Sequence, residues 1–364
     1  MMNTGTGIEL INCNALKGSV TINQKGLTVP CCQFLLPHDT DWYSIHKTNS
    51  LDDAFNNWYN TPATCVTCIY EEANDLPSLR HSWNNRIKDN ASKIEYLEVS
   101  LDFTCNMLCR ICGPGQSSKW NGSDILVEMA GLYPDTWGHY QKTSGSREYT
   151  KALIHNLRNT DLSGLNHIVL VGGEPLYSKN LPWFINYIKE NTDCRQVKLV
   201  TNGSILPSPE LFKGFDLEIQ VSIDAIGDLA SAIRMKVPFE TIDTNLRAMK
   251  KLYNVSVHTT MSILNINKMQ ELLDYCIDVG VEHNVALLHD PEWLEVKLIP
   301  NIFRDGWQVQ PMKIKKCLNI PYHHSPELVK AFLESIELTD RESEIKFRDV
   351  NPEIMHIMEA EAIT

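Results

Sequence analysis

The feature that most limits the fold of this chain is a regular alternation of strand and helix patterns from about residue 94 onward. Strand patterns occur at residues 94–103, 167–171, 196–203, 217–224, 254–261 and 283–289. Apolar positions at helical spacing stand between them, for example Leu181, Phe184, Ile185 and Ile188. Strictly alternating units of this kind favour a parallel sheet with helices outside it. The sequence therefore predicts an α/β protein whose functional residues stand at the carboxyl ends of the strands.

Three cysteines follow the first of these strands at the spacing C-x3-C-x2-C, namely Cys105, Cys109 and Cys112. Three thiolates this close can hold three irons of one [4Fe–4S] cube and leave the fourth iron open, whereas closed electron-transfer clusters use four cysteines. A zinc site and three unrelated structural cysteines are the alternative interpretations. Zinc sites usually show C-x2-C pairs matched by a second pair, so the spacing favours the open cluster.

Polar residues close the next three strands. The second strand ends in Gly172, Gly173, Glu174 and Pro175. Glycines let a ligand approach the backbone closely, and a carboxylate beside them can hold an ammonium group. Asn202 ends the third strand, and Ser222 and Asp224 on the fourth are two residues apart, so we expect both to face the same way. Each of these, taken alone, is equally typical of a turn or a helix cap.

With these motifs the chain resembles the radical S-adenosylmethionine (SAM) superfamily. The resemblance implies a partial (β/α)6 TIM-like barrel in which SAM chelates the open iron of the cluster on Cys105, Cys109 and Cys112. In that family an electron from the reduced cluster cleaves SAM to a 5′-deoxyadenosyl radical, which abstracts hydrogen from the substrate. The chain is therefore expected to be an enzyme that needs a [4Fe–4S] cluster and SAM.

The same resemblance assigns the cofactor-binding residues. Gly172, Gly173, Glu174 and Pro175 would bind SAM, with Glu174 on its amino group. Ser222 and Asp224 would contact the ribose, and Asn202 would lie on the cofactor side of the strand ends. Arg234 resembles the basic residue that often pairs with the SAM carboxylate, although by itself it is equally typical of a surface charge.

The first 80 residues contain five more cysteines, Cys13, Cys31, Cys32, Cys65 and Cys68, around a predicted hairpin at 19–29. A hairpin flanked by cysteines and followed by a C-x2-C pair resembles the auxiliary-cluster modules called twitch and SPASM domains, which usually follow the barrel. The resemblance implies a second [4Fe–4S] cluster on Cys13, Cys31, Cys65 and Cys68. Two alternatives stay open: Cys32 replaces Cys31 as a ligand, or the same four cysteines hold structural zinc.

Composition limits the cellular compartment and the classes of partner that we expect for this protein. The formal net charge of −12 opposes general nucleic-acid binding, which depends on cationic neutralisation of phosphates. We see no signal peptide and no apolar run of membrane-spanning length, so a cytoplasmic protein without a membrane partner is expected. Eleven cysteines then indicate metal ligation in a reducing compartment, with Cys194, Cys276 and Cys317 as isolated structural thiols.

These interpretations predict three regions: an auxiliary iron–sulfur module at 1–85, the radical SAM barrel at 86–300 and a C-terminal extension at 301–364 that closes the barrel. By resemblance, the substrate is a peptide that is oxidised, crosslinked or epimerised, with dehydrogenation of a small metabolite as the second choice. A flavodoxin or ferredoxin would be the low-potential reductant. A non-catalytic iron–sulfur protein that relays electrons or binds a partner is the rival from another class, and the catalytic residue for hydrogen abstraction is not identified.

Overall fold

The computed structural model describes residues 12–23, 26–34, 49–56, 64–132, 146–307 and 318–363. The chain divides into two compact units. Unit 1 comprises residues 1–103, 143–199 and 207–218, and unit 2 comprises residues 104–142, 200–206 and 219–364. Each unit contains segments that are distant in sequence.

The strands are β1 (Ser19–Ile22), β2 (Thr28–Val29), β3 (Tyr96–Ser100), β4 (Leu108–Cys109), β5 (His167–Val171), β6 (Gln196–Thr201), β7 (Asp216–Ser222), β8 (Arg234–Met235), β9 (Asn254–Met261) and β10 (Glu282–Leu287). Eight of them form the main sheet in the order β10-β9-β7-β6-β5-β3-β1-β2, and β4 pairs with β8 separately. The pairs β1–β3, β3–β5, β5–β6 and β9–β10 are parallel. The predicted α/β fold class, a mostly parallel sheet with helices as in a partial (β/α)6 barrel, is confirmed.

In unit 1 the predicted N-terminal hairpin is present, because β1 and β2 pair in antiparallel fashion with Thr21 opposite Val29. The hairpin does not form a sheet of its own. Strand β1 also pairs in parallel with β3, with Ser19 opposite Tyr96 and Ile22 opposite Val99. The N-terminal region therefore extends the main sheet by two strands, which the sequence pattern did not indicate.

The α-helices are α1 (Ala15–Gly18), α2 (Leu51–Phe55), α3 (Val66–Ala73), α4 (Leu79–Arg86), α5 (Ile125–Leu132), α6 (Ser146–Arg158), α7 (Leu181–Asn191), α8 (Gly227–Ile233), α9 (Phe239–Lys250), α10 (Met269–Val279), α11 (Asn301–Arg304), α12 (Pro326–Glu342), α13 (Phe347–Val350) and α14 (Pro352–Glu361). The predicted apolar faces of α7 and α10 are buried. Gly280 ends α10 in the left-handed conformation, as a glycine after a helix commonly does.

Several bounds differ from the sequence patterns. The first predicted strand, 94–103, is regular only over Tyr96–Ser100. Strand β7 ends at Ser222, so Asp224 lies two residues beyond the strand on which it was expected. The predicted three-region division stays a prediction. In the part of the chain that the structure describes, no helix has both the length and the apolarity that a membrane crossing requires.

Candidate radical SAM site

The three clustered cysteines lie on one short loop of unit 2. Cys109 is the last residue of β4 and stands opposite Arg234 of β8 in the antiparallel pair. The amide of Cys112 donates a hydrogen bond to the carbonyl of Cys109 at 3.1 Å, which turns the loop back on itself. Cys105 and Cys109 are buried and Cys112 is half-buried. The C-x3-C-x2-C spacing thus brings its thiols together beside one guanidinium group.

The thiols of this loop are electrostatically unequal. A hydrogen bond from Cys109 lowers the pKa of Cys112, and the guanidinium of Arg234 acts in the same direction, against the effect of burial. The same thiol–thiol hydrogen bond, followed by burial, raises the pKa of Cys109 well above its ordinary value. The loop therefore favours the metal-binding thiolate form first at Cys112.

Asn202 holds the cysteine loop in place. Its side-chain amide donates to Oδ1 of Asn106 at 3.0 Å and lies 3.9 Å from Sγ of Cys105. Its own Oδ1 accepts hydrogen bonds from the amide of Ser204 at 2.9 Å and from the Ser204 hydroxyl at 2.6 Å. Asn106 in turn donates to Oγ of Ser204 at 2.9 Å. Sequence reasoning selected Asn202 but missed Asn106 and Ser204, whose only signal was their place in loops that follow strands.

Asp224 and Arg234 form a buried ion pair. Nε of Arg234 lies 2.7 Å from Oδ2 of Asp224, and the amide of Thr260 donates to Oδ1 of Asp224 at 2.9 Å. Asp224 is 1% exposed and Arg234 is 9% exposed. Burial alone would lower the pKa of Arg234, but Asp224 and the thiols of Cys109 and Cys112 outweigh that effect and raise it. Arg234 is consequently a buried cation next to the cysteines rather than a surface charge.

In unit 1 the Gly-Gly-Glu-Pro segment requires glycine at its first position. Gly172 has a φ of 142°, and a Cβ there would lie 2.7 Å from the carbonyl oxygen of Asp102. The amide of Gly173 donates to the same carbonyl at 3.3 Å. Glu174 is buried, and its Oε1 accepts a hydrogen bond from the amide of Leu176 at 3.0 Å, which caps the short 3-10 turn that starts at Pro175.

Asp102 is a polar residue of this strand end that the sequence pattern did not single out. It is buried, and its Oδ2 accepts from the hydroxyl of Ser178 at 2.5 Å and from the side chain of Asn180 at 3.3 Å. These bonds join the end of β3 to the segment after Gly172 and Gly173. The ends of β3 and β5 therefore approach closely for two reasons: Gly172 has no Cβ, and the Asp102 carboxylate accepts hydrogen bonds from the segment that follows.

The four cysteines assigned to an auxiliary cluster are also brought together in unit 1. Burial raises the pKa of Cys13 to about 11, and the nearby thiols of Cys65 and Cys68 add to the shift. Burial likewise raises the pKa of Cys31, with Cys13, Cys68 and Cys65 as its closest charged neighbours. The structure thus assembles from distant parts of the chain the same four thiols that sequence reasoning selected.

Cys32 differs from these four thiols. Its side chain is exposed to solvent, whereas Cys31 and Cys68 are buried. The charged group that affects it most is Glu98 of β3, followed by Cys31 and Cys68. The Cys32 thiol therefore lies near the Glu98 carboxylate and is exposed, unlike the buried or half-buried thiols of the other four cysteines.

Comparison with known proteins identifies the cysteine loop and the strands around it. The family model of the radical SAM superfamily matches residues 100–276. Residues 100–276 form a radical SAM domain. The predicted superfamily and the prediction of an enzyme are confirmed at this level, and the matched range contains the C-x3-C-x2-C motif, the Gly-Gly-Glu-Pro segment and Arg234.

Curated relatives match the radical SAM domain and its surroundings at low identity. The GTP 3′,8-cyclase of Sulfurovum sp. (strain NBC37-1) is 22% identical over 204 residues, which cover 54% of this chain and 55% of the relative. The GTP 3′,8-cyclase of Nautilia profundicola is 25% identical over 194 residues, covering 52% of this chain and 54% of the relative. The chain thus spans about half the length of the curated relatives it matches.

Among solved structures, Streptococcus suis SuiB bound to S-adenosylmethionine matches with a TM-score of 0.36 and 12% identity, over 65% of this chain and 47% of that chain. The structure described as anSMEcpe with bound AdoMet matches with a TM-score of 0.37 and 14% identity, over 71% of this chain and 60% of that one. At these TM-scores the likeness carries no argument about the site.

The residues of the radical SAM domain fit the cofactor that the superfamily uses. In the described residues, no group of three or more His, Cys, Asp or Glu side chains already stands in the geometry of a metal site. The fit rests instead on donor chemistry: three cysteine thiols on one loop are the donors that a [4Fe–4S] cluster with one open iron requires. A buried guanidinium beside them compensates the negative charge that thiolates bring.

The isolated cysteines lie apart from both groups. Cys194 and Cys276 are buried, at 2% and 1% exposure, and burial raises the pKa of each. Cys317, which sequence reasoning treated in the same way, lies outside the described residues. Among the described residues, no other thiol contributes to the pKa of Cys194 or Cys276, so these two cysteines serve as matched controls for substitutions in the clustered cysteines.

Proposed function

We propose that the chain is a radical SAM enzyme that cleaves SAM reductively and removes hydrogen from a bound substrate. The observation that carries the proposal is the loop of Cys105, Cys109 and Cys112, which lies beside Arg234 within the segment that matches the superfamily. When bound, the cluster and SAM supply a 5′-deoxyadenosyl radical. The remaining steps depend on what the side chains of this chain hold in place.

The chain's own residues divide into ligands and positioning groups. Cys105, Cys109 and Cys112 are the cluster ligands, and Glu174 is the partner of the SAM amino group. Gly172 lets the segment before Glu174 pass close to the end of β3, because a Cβ at Gly172 would collide with the carbonyl of Asp102. These assignments come from the superfamily motif, and the burial of Glu174 supports the role because a buried carboxylate binds an ammonium group strongly.

Asp224 and Arg234 need a revised role within this proposal. Sequence reasoning placed Asp224 on the ribose and Arg234 on the SAM carboxylate, yet both oxygens of Asp224 already accept hydrogen bonds within unit 2. We assign Asp224 the task of fixing the Arg234 side chain next to Cys109 and Cys112. Ser222, half-buried at the end of β7, remains the candidate ribose contact.

We further propose that Cys13, Cys31, Cys65 and Cys68 hold an auxiliary [4Fe–4S] cluster of the twitch type. The convergence of these four thiols supports it, and the exposure of Cys32 favours Cys31 over Cys32 as the ligand. The raised pKa values of Cys13 and Cys31 are those of unligated thiols in an apolar setting; metal binding releases their protons. Structural zinc on the same four cysteines is the competing assignment.

For the substrate, two candidates remain. Peptide modification was the first choice from sequence. A small molecule is favoured by the relatives' names, since GTP 3′,8-cyclase denotes an enzyme that acts on a nucleotide. That support is limited because those relatives are matched over about half of their length. We therefore propose a hydrogen-abstracting enzyme of the radical SAM class and separate the two substrate classes by experiment.

The deciding experiment combines metal analysis with SAM cleavage. The anaerobically reconstituted wild type is expected to contain about eight irons, falling to about four in Cys105→Ala/Cys109→Ala/Cys112→Ala, with complete loss of 5′-deoxyadenosine. If the triple variant contained zinc and little iron, the four N-terminal cysteines would be assigned to structural zinc instead of an auxiliary cluster. A fully loaded, reduced wild type that forms no 5′-deoxyadenosine would refute the enzyme proposal and favour electron relay.

A further inference from the structure

One face of the sheet in unit 1 carries polar side chains in aligned rows. Thr21, Glu98, Val169 and Lys198 stand opposite one another on the parallel strands β1, β3, β5 and β6. Residues at matched positions of paired strands share a face, so Thr21, Glu98 and Lys198 project to the same side. Their neighbours Leu97 and Val99 alternate to the other side and are fully buried. The polar face therefore lies opposite the apolar face.

Glu98 is a carboxylate without a close partner. In the described part of the chain, no hydrogen bond or ion pair joins it, although Arg86 and Lys198 act on it over a longer distance. Nζ of Lys198 instead lies 3.0 Å from Oε1 of Glu218 on β7, which engages its charge. Burial outweighs both cations and raises the pKa of Glu98 to about 7. A half-buried carboxylate with a raised pKa would be stabilised by a hydrogen-bond donor or a cation placed beside it.

Polar atoms without partners lie on the strand beside this carboxylate. Within the described residues, the Thr21 hydroxyl, opposite Glu98, and the Ser19 hydroxyl, two pairs before it, are both buried without a hydrogen-bond partner. The indole nitrogen of Trp83 is a third such atom, and its ring meets that of Tyr96 edge-on at 4.6 Å. Thr21 is 2% exposed, so its orphaned hydroxyl is not satisfied by bulk water. Buried polar atoms without partners mark a place where a ligand can supply them.

The exposed Cys32 thiol lies near this carboxylate, because Glu98 is the charged group that affects Cys32 most. Tyr96 stands two residues before Glu98 on β3 and so shares its face of the sheet, and the Tyr96 ring stacks on His167 at 4.7 Å. We call these groups the Glu98 cluster: the Glu98 carboxylate, the Thr21 hydroxyl, the stacked rings of Tyr96 and His167, and the Cys32 thiol. Ligand sites commonly combine apolar walls with a few such polar groups.

We propose that the Glu98 cluster binds a cationic nitrogen of the substrate, an ammonium or guanidinium group, on the carboxylate of Glu98, with the Thr21 hydroxyl as a second contact. A cation is favoured because Glu98 repels an anion and the charge of Lys198 is already engaged by Glu218. A charge-assisted hydrogen bond in a desolvated place is also strong enough to select among ligands. The proposal rests on the proposed function in that it takes the ligand to be the substrate.

The test is a binding measurement on the full-length, reconstituted protein without SAM. Radiolabelled agmatine and cadaverine serve as cationic probes in equilibrium dialysis, and 1,5-pentanediol serves as a neutral probe of matched length. We expect Glu98→Gln to weaken agmatine binding by about tenfold or more, the loss of one charge-assisted contact. Thr21→Val, which removes a single hydroxyl, is expected to weaken binding by about two- to fivefold.

Glu210→Gln is the matched control, because it makes the same chemical change at an exposed carboxylate of unit 1. It should bind agmatine as the wild type does. Equal binding of agmatine by Glu98→Gln and wild type, or binding of pentanediol as tight as that of agmatine, would overturn the proposal. So would absence of binding by every cationic probe. Thermal unfolding of each variant identifies one that fails to fold, and Thr21→Val then keeps the proposal testable.

The outcome is separable from that of the proposed function. Reductive formation of 5′-deoxyadenosine is measured on the same preparations. Agmatine binding that depends on Glu98, in a protein that forms no 5′-deoxyadenosine, supports the cation site and refutes the radical SAM activity. Formation of 5′-deoxyadenosine without agmatine binding supports the radical SAM activity and refutes the cation site.

Discussion

Buried charges are treated differently in the two units. In unit 2, Arg234 is paired with Asp224 at 2.7 Å, and Arg110, which lies between the cluster cysteines, is paired with Asp340 at 2.5 Å. In unit 1, no ion pair joins Glu98 within the part of the chain that the structure describes, and burial raises its pKa. These two arginines of unit 2 are thus each paired with a carboxylate, whereas Glu98 of unit 1 needs a ligand to supply its partner. The difference separates cations that the fold itself pairs from a carboxylate that a bound ligand can pair.

The Arg110 pair shows how far this internal pairing extends. Its Nε donates to the carbonyl of Ala232 at 2.8 Å, and its other nitrogens bond to Thr339 and Asp340 of α12. Asp340 also accepts the amide of Phe347 at 2.8 Å. Helix α12 is therefore bonded to the cysteine loop inside unit 2. A buried charge pair of this kind holds geometry well, because breaking it leaves an uncompensated charge.

The largest expected effect separates the two groups of cysteines. Cys109→Ala should lower 5′-deoxyadenosine formation by about a thousandfold or more, because the cluster loses a ligand. Cys65→Ala/Cys68→Ala should remove about four irons and keep SAM cleavage, since those thiols belong to the other cluster. Product formation and iron content are measured together by chromatography and colorimetry. Cys194→Ala, a buried thiol outside both groups, is the control.

If Cys65→Ala/Cys68→Ala also abolished SAM cleavage, the two cysteine groups would not act as separate sites. The view that the two units bind their clusters independently of each other would then be wrong.

The second effect concerns the buried ion pair. Arg234→Met leaves Asp224 buried and uncompensated, so we expect the free energy of unfolding to fall by about 3–5 kcal/mol. Arg247→Met, at an ion pair with Asp243 that solvent reaches, should cost much less, because water screens the pair. Urea denaturation of the apo-proteins measures both. Equal costs at the two positions would show that unit 2 gains nothing special from pairing its buried charges.

The third effect tests the close approach of strand ends in unit 1. Gly172→Ala places a Cβ 2.7 Å from the carbonyl oxygen of Asp102 at a φ that favours glycine. We expect it to destabilise the fold by about 1–3 kcal/mol and to weaken SAM binding. Gly131→Ala in α5, where a Cβ meets nothing within 4 Å, should be neutral or slightly stabilising. Denaturation and SAM titration distinguish the two, and similar results for both would remove the steric argument.

The smallest effect is a pH dependence with a definite sign. The pKa of Glu98 is raised to about 7, so the native state holds its proton at pH values where the unfolded state has lost it. Stability from this group is present below the ordinary carboxylate range and falls as pH rises towards 7. Glu98→Gln has no group to titrate at this position. The difference between its free energy of unfolding and that of the wild type should therefore shift in favour of the variant by about 2 kcal/mol from pH 5 to pH 8.

Urea denaturation at both pH values checks this prediction, with Glu210→Gln, the same change at an exposed carboxylate, as the control. A Glu98→Gln variant that is less stable than wild type at pH 8 would show that Glu98 has a partner in the free protein. The contrast between the two units would then lose its main support.

Much of the site was predictable because its signals are local. The C-x3-C-x2-C spacing selected Cys105, Cys109 and Cys112, and the glycines after β5 marked a close approach that the structure shows at Gly172. The predicted orientation of Asp224 was less successful, since β7 ends at Ser222 and the carboxylate turns to Arg234 and Thr260. Strand periodicity cannot describe a residue beyond the strand end, where tertiary hydrogen bonds decide its direction.

The sequence by itself determined the kinds of elements, their order and the chemistry at the strand ends, because periodicity and motif spacing depend on residues that are neighbours in the chain. Only the tertiary structure decided that the N-terminal hairpin joins the main sheet beside β3, and that Asp224 pairs with Arg234. It also decided that Lys198 pairs with Glu218 and leaves Glu98 without an ion-pair partner among the residues that the structure describes. These outcomes depend on contacts between residues far apart in sequence, where burial and competition among charges determine which pairs form.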